Sequence, residues 1–194
     1  MQIVLATHNK GKMSEINNLL SSSYEVLTLD HFSNIKDIPE TGKTLKENAF
    51  IKARTVFEMT GLPSLADDTG LEVESLGGDP GVYSARYAGE QASYQDNCEK
   101  LLKNMMRVPK EDRAAKFRTV IAYKDDYKEL SCDGSVKGEI AQSPKGSFGF
   151  GYDSVFYYPP LDKTFAELSE EEKNSISHRG RALRKFLLLF NDKK

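Results

Sequence analysis

Four apolar residues in a row, Ile3-Val4-Leu5-Ala6, stop abruptly at the polar stretch Thr7-His8-Asn9-Lys10-Gly11-Lys12. After it, Met13, Ile16, Leu19 and Leu20 recur at helical spacing. A short β-rich apolar run without alternation is the pattern of a strand buried on both faces. Spacing of three and four is that of a helix with one apolar stripe. The chain therefore opens as strand, polar loop, helix.

The rest of the sequence extends the alternation. Thr44 with Glu47 three residues on is a capping box, and Gly61 is a natural C-terminal stop, so a second helix is predicted between them. Its apolar face is Leu45, Ala49, Ala53, Val56 and Phe57, while Asn48 and Lys52 share another face at i, i+4. Leu62 to Ala66 reads as a short strand ending at Asp67-Asp68-Thr69-Gly70, and a third helix runs from about Tyr94 to Met106. Alternation over Ala115–Ala122, then Tyr127–Cys132 and Tyr152–Tyr158, predicts strands. A last amphipathic helix carries Ala182, Leu183, Phe186, Leu187 and Phe190. Helices at both ends and strands between them give an α/β fold with a mixed sheet flanked by helices. No repeat, low-complexity tract or linker divides the sequence, so residues 1–194 are read as a single domain.

Charge and cysteine usage exclude several functions. Lys+Arg 27 against Asp+Glu 29 gives a net charge of -2, which supports no nucleic-acid partner but leaves room for a local basic pocket. Cys98 and Cys132 lack metal-ligand spacing and are expected to be a reduced pair. The N-terminus has no basic region before its short apolar run, and Phe186–Phe190 is far too short for a membrane span. A cytoplasmic protein with no membrane partner is expected.

Four segments carry candidate chemistry. Thr7 to Lys12 sits between a strand end and a helix N-terminus, where free backbone N–H groups and the helix dipole suit phosphate, and Lys10 and Lys12 add charge. It lacks the paired glycines and final Ser/Thr of a P-loop, and an ordinary polar loop looks much the same. Asp67 and Asp68 point to opposite sides of the chain, so one can enter a cleft and help hold a hard cation; an Asx turn is the plainer alternative. Glu40 is a possible second acid ligand, and Lys52 is placed to reach a phosphate. In Gly149-Phe150-Gly151-Tyr152-Asp153 the flanking glycines allow a flat ligand close to the backbone and the ring can stack on a base. Lys173 and Ser177-His178-Arg179-Gly180 lie at or before the start of the last helix, where an anion or carbonyl acceptor is well received.

Taken in order, these segments resemble the inosine triphosphate pyrophosphatase family, house-cleaning enzymes for non-standard purine nucleotides. The resemblance runs almost end to end. It rests on Leu5-Ala6-Thr7 with Asn9 and Lys12, on Glu40-Thr41-Gly42 with Glu47-Asn48-Ala49 and Lys52-Ala53, and on Ala66-Asp67-Asp68-Thr69-Gly70-Leu71. It continues through Leu76-Gly77-Gly78, Pro80-Gly81-Val82-Tyr83-Ser84-Ala85-Arg86-Tyr87, Gly149 to Asp153, and Glu172-Lys173 to Gly180. The resemblance implies an elongated mixed sheet in two lobes with a substrate cleft between them, and a homodimer. It implies Mg²⁺-dependent hydrolysis of a nucleoside triphosphate at the α-phosphorus, with Mn²⁺ as a substitute metal. Carried over by position, Thr7, His8, Asn9, Lys10, Gly11, Lys12 and Lys52 hold the triphosphate, although His8 sits at a variable place in that loop. Asp68 is the general base and shares the metal with Glu40, and Asp67 supports both. Thr69 stands where serine is usual and keeps a hydroxyl for the substrate. Phe150, with Gly151, Tyr152 and Asp153, forms the nucleoside pocket, and Lys173, His178 and Arg179 read the base edge. Phe148 and Ser154 depart from the family pattern, and Phe148 is expected to narrow or reshape the base pocket. A pyrophosphatase for modified pyrimidines is the nearest rival, and a nucleotide sensor without catalysis is the rival from another class. The intact Glu40, Lys52, Asp67 and Asp68 speak against the sensor.

Overall fold

A computed structural model of the protein describes residues 1–21, 24–32 and 35–191. The elements in chain order are β1 (Gln2–Leu5), α1 (Lys10–Leu20), β2 (Glu25–Thr28), α2 (Leu45–Thr60), β3 (Ser64–Val73), β4 (Pro80–Gly81), α3 (Tyr94–Asn104), β5 (Ala114–Lys124), β6 (Glu129–Ile140), β7 (Phe156–Tyr158), β8 (Lys163–Thr164), α4 (Glu170–Ile176) and α5 (His178–Asn191). The sheet is mixed, in the order β2-β1-β3-β5-β6-β7-β8, with β4 paired to β3. β1 runs parallel to β2 and β3, whereas β4 on β3, β7 on β6 and β8 on β7 are antiparallel. Among the described residues no helix is long and apolar enough to cross a membrane.

The chain divides into two compact units, each assembled from separated segments. The first comprises Met1–Asp68, Thr119–Gly134 and His178–Lys194; the second comprises Thr69–Arg118 and Ser135–Ser177. In the first unit Ile3 and Leu5 of β1, Ile16 and Leu20 of α1, and Leu183, Phe186 and Phe190 of α5 share one apolar core. The second unit has its own core, in which Leu71, Leu101, Phe117, Phe156 and Phe165 meet. Phe117 packs its ring against those of Phe156 and Phe165, with centroids 4.6 and 6.0 Å away.

Three elements differ from the sequence reading, each for a physical reason. The strand expected to end at Ala66 continues to Val73, straight through Asp67-Asp68-Thr69-Gly70. Leu71 and Val73 are fully buried, and both Asp67 and Asp68 meet cations, so nothing forces the chain out of the sheet. Tyr152–Tyr158 is strand only from Phe156. Before that, Gly149 and Gly151 adopt positive φ and turn bonds such as Val155 N–H to Tyr152 C=O replace ladder pairing. Tyr127, expected to open a strand, is 94% exposed in the turn before β6, where Asp125 accepts the amides of Tyr127 and Lys128. Cys98 and Cys132 are buried free thiols, each pushed up to about 11 by burial.

Candidate active site

In the first unit the phosphate-type loop is fixed by its own side chains. Asn9 is the N-cap of α1 and accepts the Lys12 amide at 3.1 Å, while the Thr7 hydroxyl accepts the Asn9 amide at 3.2 Å. The loop expected to span residues 7–12 thus ends early, because Lys10, Gly11 and Lys12 already form the first helical turn. That turn holds two lysines and no acid. Lysines there oppose the positive end of the helix dipole, so the arrangement is stabilised by an arriving anion. His8 and Lys10 are exposed, whereas the Lys12 ammonium reaches Asp67 at 3.2 Å.

Two ion-pair groups meet on β3. Successive strand residues face opposite sides, and the two aspartates have different partners. The Asp67 carboxylate is fully buried and receives Arg179 Nε and Nη2 at 3.1 and 3.0 Å, in addition to Lys12. Arg179 also donates through Nη1 to Glu15 of α1, itself only 4% exposed. Asp68 instead meets Lys52 of α2 at 3.1 Å, and the same ammonium binds Glu40 at 2.6 Å. The capping box of Thr44 and Glu47 starts α2 where it must. Asn48 in its second turn accepts the Gly42 amide at 2.7 Å, tethering the segment that carries Glu40. Together the cluster has three cations, Lys12, Lys52 and Arg179, against four carboxylates, Glu15, Glu40, Asp67 and Asp68.

These environments drive the adjacent aspartates apart. Burial alone would raise the Asp67 carboxyl, but Lys12, Arg179 and Lys52 override it and hold the group well below the usual carboxylate range. Burial raises Asp68, Lys52 and Lys12 offset only part of the rise, and Glu40 adds to it. Burial pulls Lys52 down, yet Asp68, Glu40 and Asp67 more than reverse this. Lys12 is lowered by burial, with Lys52 and Arg179 adding to the fall and Asp67 only partly restoring it. One aspartate is held ionised while its neighbour holds a proton more readily. That is how a pair of like groups divides structural and acid–base work.

The second unit gathers the nucleoside-type residues. Asp153, 3% exposed, accepts the Phe150 amide at 2.8 Å and the Lys173 ammonium at 2.5 Å on the same oxygen. The Lys173 ammonium also lies 4.7 Å from the centroid of the Phe150 ring, and Tyr94 packs 6.0 Å from it. Gly149 has φ +73°, and a Cβ there would collide with the Asp153 carboxylate. A pocket of ≈ 460 Å³ in this unit is lined by Tyr94, Cys98, Phe148, Phe150, Gly151 and Asp153 among others. Phe148 lines the same pocket and is 65% exposed, and Phe150 is half-buried.

Arg179 is 2% exposed, and its guanidinium donates to Asp67 and Glu15. Tyr152 is 5% exposed, and its hydroxyl donates to Ser84 C=O at 2.9 Å. His178 begins α5 at 3% exposure, directly above Gly134, where a Cβ would collide with the His178 carbonyl and the Ala182 amide. Thr69 is half-buried on β3 immediately after the acids. Glu15 and Asn48 were not singled out as site residues. For Glu15 the signal was a lone acid beside Ile16 on the apolar side of α1.

A cationic loop at a helix start, beside two carboxylates of opposed acidity on a buried strand, defines an α/β protein built to handle phosphoanhydrides. The comparisons with known proteins say which kind. The chain belongs to the Ham1 family, whose sequence model matches residues 3–188. It is 50% identical over 186 residues to the dITP/XTP pyrophosphatase of Thermoanaerobacter pseudethanolicus, covering 95% of this chain and 94% of that one. It is 48% identical over 194 residues to the Yersinia pseudotuberculosis protein of the same name, covering 98% of each. Among solved structures, the Staphylococcus aureus Ham1 protein matches with TM-score 0.88 and 40% identity over 100% of both chains. The HAM1 protein of Coxiella burnetii matches with TM-score 0.89 and 43% identity over 99% of both.

Proposed function

We propose that this protein hydrolyses non-standard purine nucleoside triphosphates, ITP, dITP and XTP, at the α-phosphorus to the monophosphate and pyrophosphate. Such hydrolysis keeps these nucleotides out of DNA and RNA. The observation that carries the reading is the opposed pair on β3: Asp67 locked among cations, and Asp68 raised by burial beside Lys52. Its support beyond geometry is family membership and relatives named for dITP and XTP hydrolysis.

In this reading Asp68 accepts the proton of the attacking water, for which a raised affinity is an advantage. Thr7 to Lys12 and Lys52 hold the triphosphate, whose roughly four negative charges need positioning and neutralisation more than covalent chemistry. Glu40 and Asp68 would hold Mg²⁺, or Mn²⁺ in its place. Among the described residues no three His, Cys, Asp or Glu side chains gather into a metal cage. Mg²⁺ needs no such cage, since it takes one or two carboxylates with water and phosphate oxygens. In support, Asp68 Oδ2 is buried with no hydrogen-bond partner among the described residues, while Lys52 holds its other oxygen and Glu40. When bound, the cation supplies further charge neutralisation at the phosphates. Phe150 stacks on the base. Lys173, His178 and Arg179 read the base edge, with donors for the 6-keto oxygen of hypoxanthine or xanthine, where adenine presents another donor. Homodimeric assembly belongs to the same proposal on the strength of the family, and the cytoplasm is where the nucleotide pool lies.

The test is a triphosphate panel with Mg²⁺, scored separately for pyrophosphate and orthophosphate. Inosine triphosphate should give its monophosphate and pyrophosphate in equal amounts, with kcat/KM at least about a hundredfold above that for ATP. Orthophosphate as the primary product, or equal use of ATP, would refute the reading.

A further inference from the structure

We infer that Ser84 is a positioning residue for base recognition, acting through the hydroxyl of Tyr152; the inference rests on the proposed purine selectivity. Ser84 lies in the segment Pro80–Tyr87, to which the proposed chemistry gives no part. Its side chain is inserted into the β3–β4 pairing at the position where Leu71 faces Gly81. The hydroxyl accepts the Leu71 amide at 2.9 Å and donates to Gly81 C=O at 2.6 Å, so it bridges two backbone groups that sit opposite one another. The next residues are clamped from α3: Asn97 donates to Ala85 C=O at 3.0 Å and accepts the Ala88 amide at 2.7 Å.

With its side chain engaged by the sheet and its neighbours by α3, Ser84 presents a fixed carbonyl. That carbonyl accepts the Tyr152 hydroxyl at 2.9 Å. Tyr152 sits in the glycine-flanked turn, directly before Asp153. The Asp153 carboxylate in turn holds the Phe150 amide and the Lys173 ammonium. The backbone of the residue proposed to stack on the base and the ammonium proposed to read its edge are thus held by one carboxylate. Gly149 and Gly151, both at positive φ, flank the turn, which makes an anchor from outside it consequential. The tyrosine hydroxyl is that anchor, and Ser84 is its fixed point. Without it, Phe150, Asp153 and Lys173 shift together, blurring base selection while leaving the phosphate loop and acids of the first unit intact.

Tyr152→Phe removes the hydroxyl and keeps the ring. The expected result is a KM for ITP raised about five- to tenfold, the scale of one lost buried hydrogen bond, with the loss concentrated in KM. The ITP-to-ATP ratio of kcat/KM should fall by a similar factor. Inorganic tripolyphosphate, which has no base, serves as a competitive inhibitor, and its Ki should stay within about twofold of wild type, well below the KM effect. Ser84→Ala should reproduce the pattern, and Ser84→Thr, which retains the hydroxyl, should restore it. Unchanged KM and selectivity in both variants would overturn the inference. So would a rise in tripolyphosphate Ki that matches the rise in KM, since that is the mark of general loosening. A wild-type protein that uses ATP as well as ITP would fail the functional reading itself, a distinct outcome from variants that discriminate as well as wild type.

Discussion

Replacing Arg179 by methionine removes three donated hydrogen bonds from the interior of the first unit while keeping a long side chain in place. In the native protein the guanidinium serves Asp67 twice and Glu15 once, at 2% exposure. In the variant, Asp67 retains Lys12, whose side chain is 16% exposed, and Glu15 loses its guanidinium partner. Breaking a buried pair from one side costs about 3–5 kcal/mol, because a desolvated charge is left behind. Methionine fills most of the volume, so the cavity contribution is small. For a chain of this size, about 2–4 °C of melting temperature per kcal/mol turns that cost into a fall of roughly 6–20 °C at pH 7. The pH dependence follows from the direction of the Asp67 shift. A carboxyl depressed in the folded state adds stability above its unfolded pKa, and this is lost as pH falls through the still lower folded value. The share that Arg179 supplies beside Lys12 and Lys52 is absent from the variant, so the gap between the two proteins should be widest near neutrality and narrow below about pH 4. Calorimetry or circular dichroism on both proteins from pH 3 to 8 reads this directly. A gap under about 2 °C at pH 7, or one that widens toward acid, would refute the argument that Arg179 is a structural counter-ion.

Asp68→Asn is nearly isosteric but cannot take a proton, so turnover should fall by roughly 10²–10⁴ with the fold retained by circular dichroism. Because burial raises Asp68 and the base must be ionised, wild-type turnover should rise with pH through a value above the ordinary carboxylate range. Near-normal turnover in the variant, or a wild-type acid limb at or below that range, would remove Asp68 from the role. Gly149→Ala places a methyl group against the Asp153 carboxylate at φ +73°, where a side chain costs about 1–2 kcal/mol; steady-state kinetics should show a several-fold higher KM for ITP and weaker discrimination against ATP. Unchanged selectivity in that variant would separate the turn from base recognition.

The elements that could be read from the sequence are those whose signals are local. The capping box at Thr44, the stop at Gly61 and the apolar stripe of α5 each sit within a few residues of what they specify. β3 was truncated because Asp67-Asp68-Thr69-Gly70 has turn composition, and what keeps it extended are cations from α1, α2 and α5, far away in sequence. Tyr152–Tyr158 was over-extended because aromatic and β-branched residues also suit a packed turn when glycines supply positive φ. Within the site, residue types and order pointed to the acids and lysines, but not to which carboxylate each cation would meet. Arg179 illustrates the limit. Its place at a helix start beside His178 can be read locally, whereas its ion pairs with Asp67 and Glu15 join residues 112 and 164 positions apart.

The run of β3 through its two aspartates has a consequence for what distinguishes them. Both are the same residue on the same strand, so their different behaviour is decided by parity alone: one side of the strand offers Arg179 and Lys12, the other Lys52. Parity is set upstream, where β3 pairs with β1 at Val4↔Ser64 and Leu5↔Leu65. A one-residue slip there would exchange the faces of every side chain that follows. The carboxylate beside Lys52 would then be a different one, without any change in the residues themselves. The identity of the proposed base is thus held in a β-pairing register rather than in the aspartate, and a single-residue insertion between Leu65 and Asp67 would perturb the site more deeply than many substitutions within it.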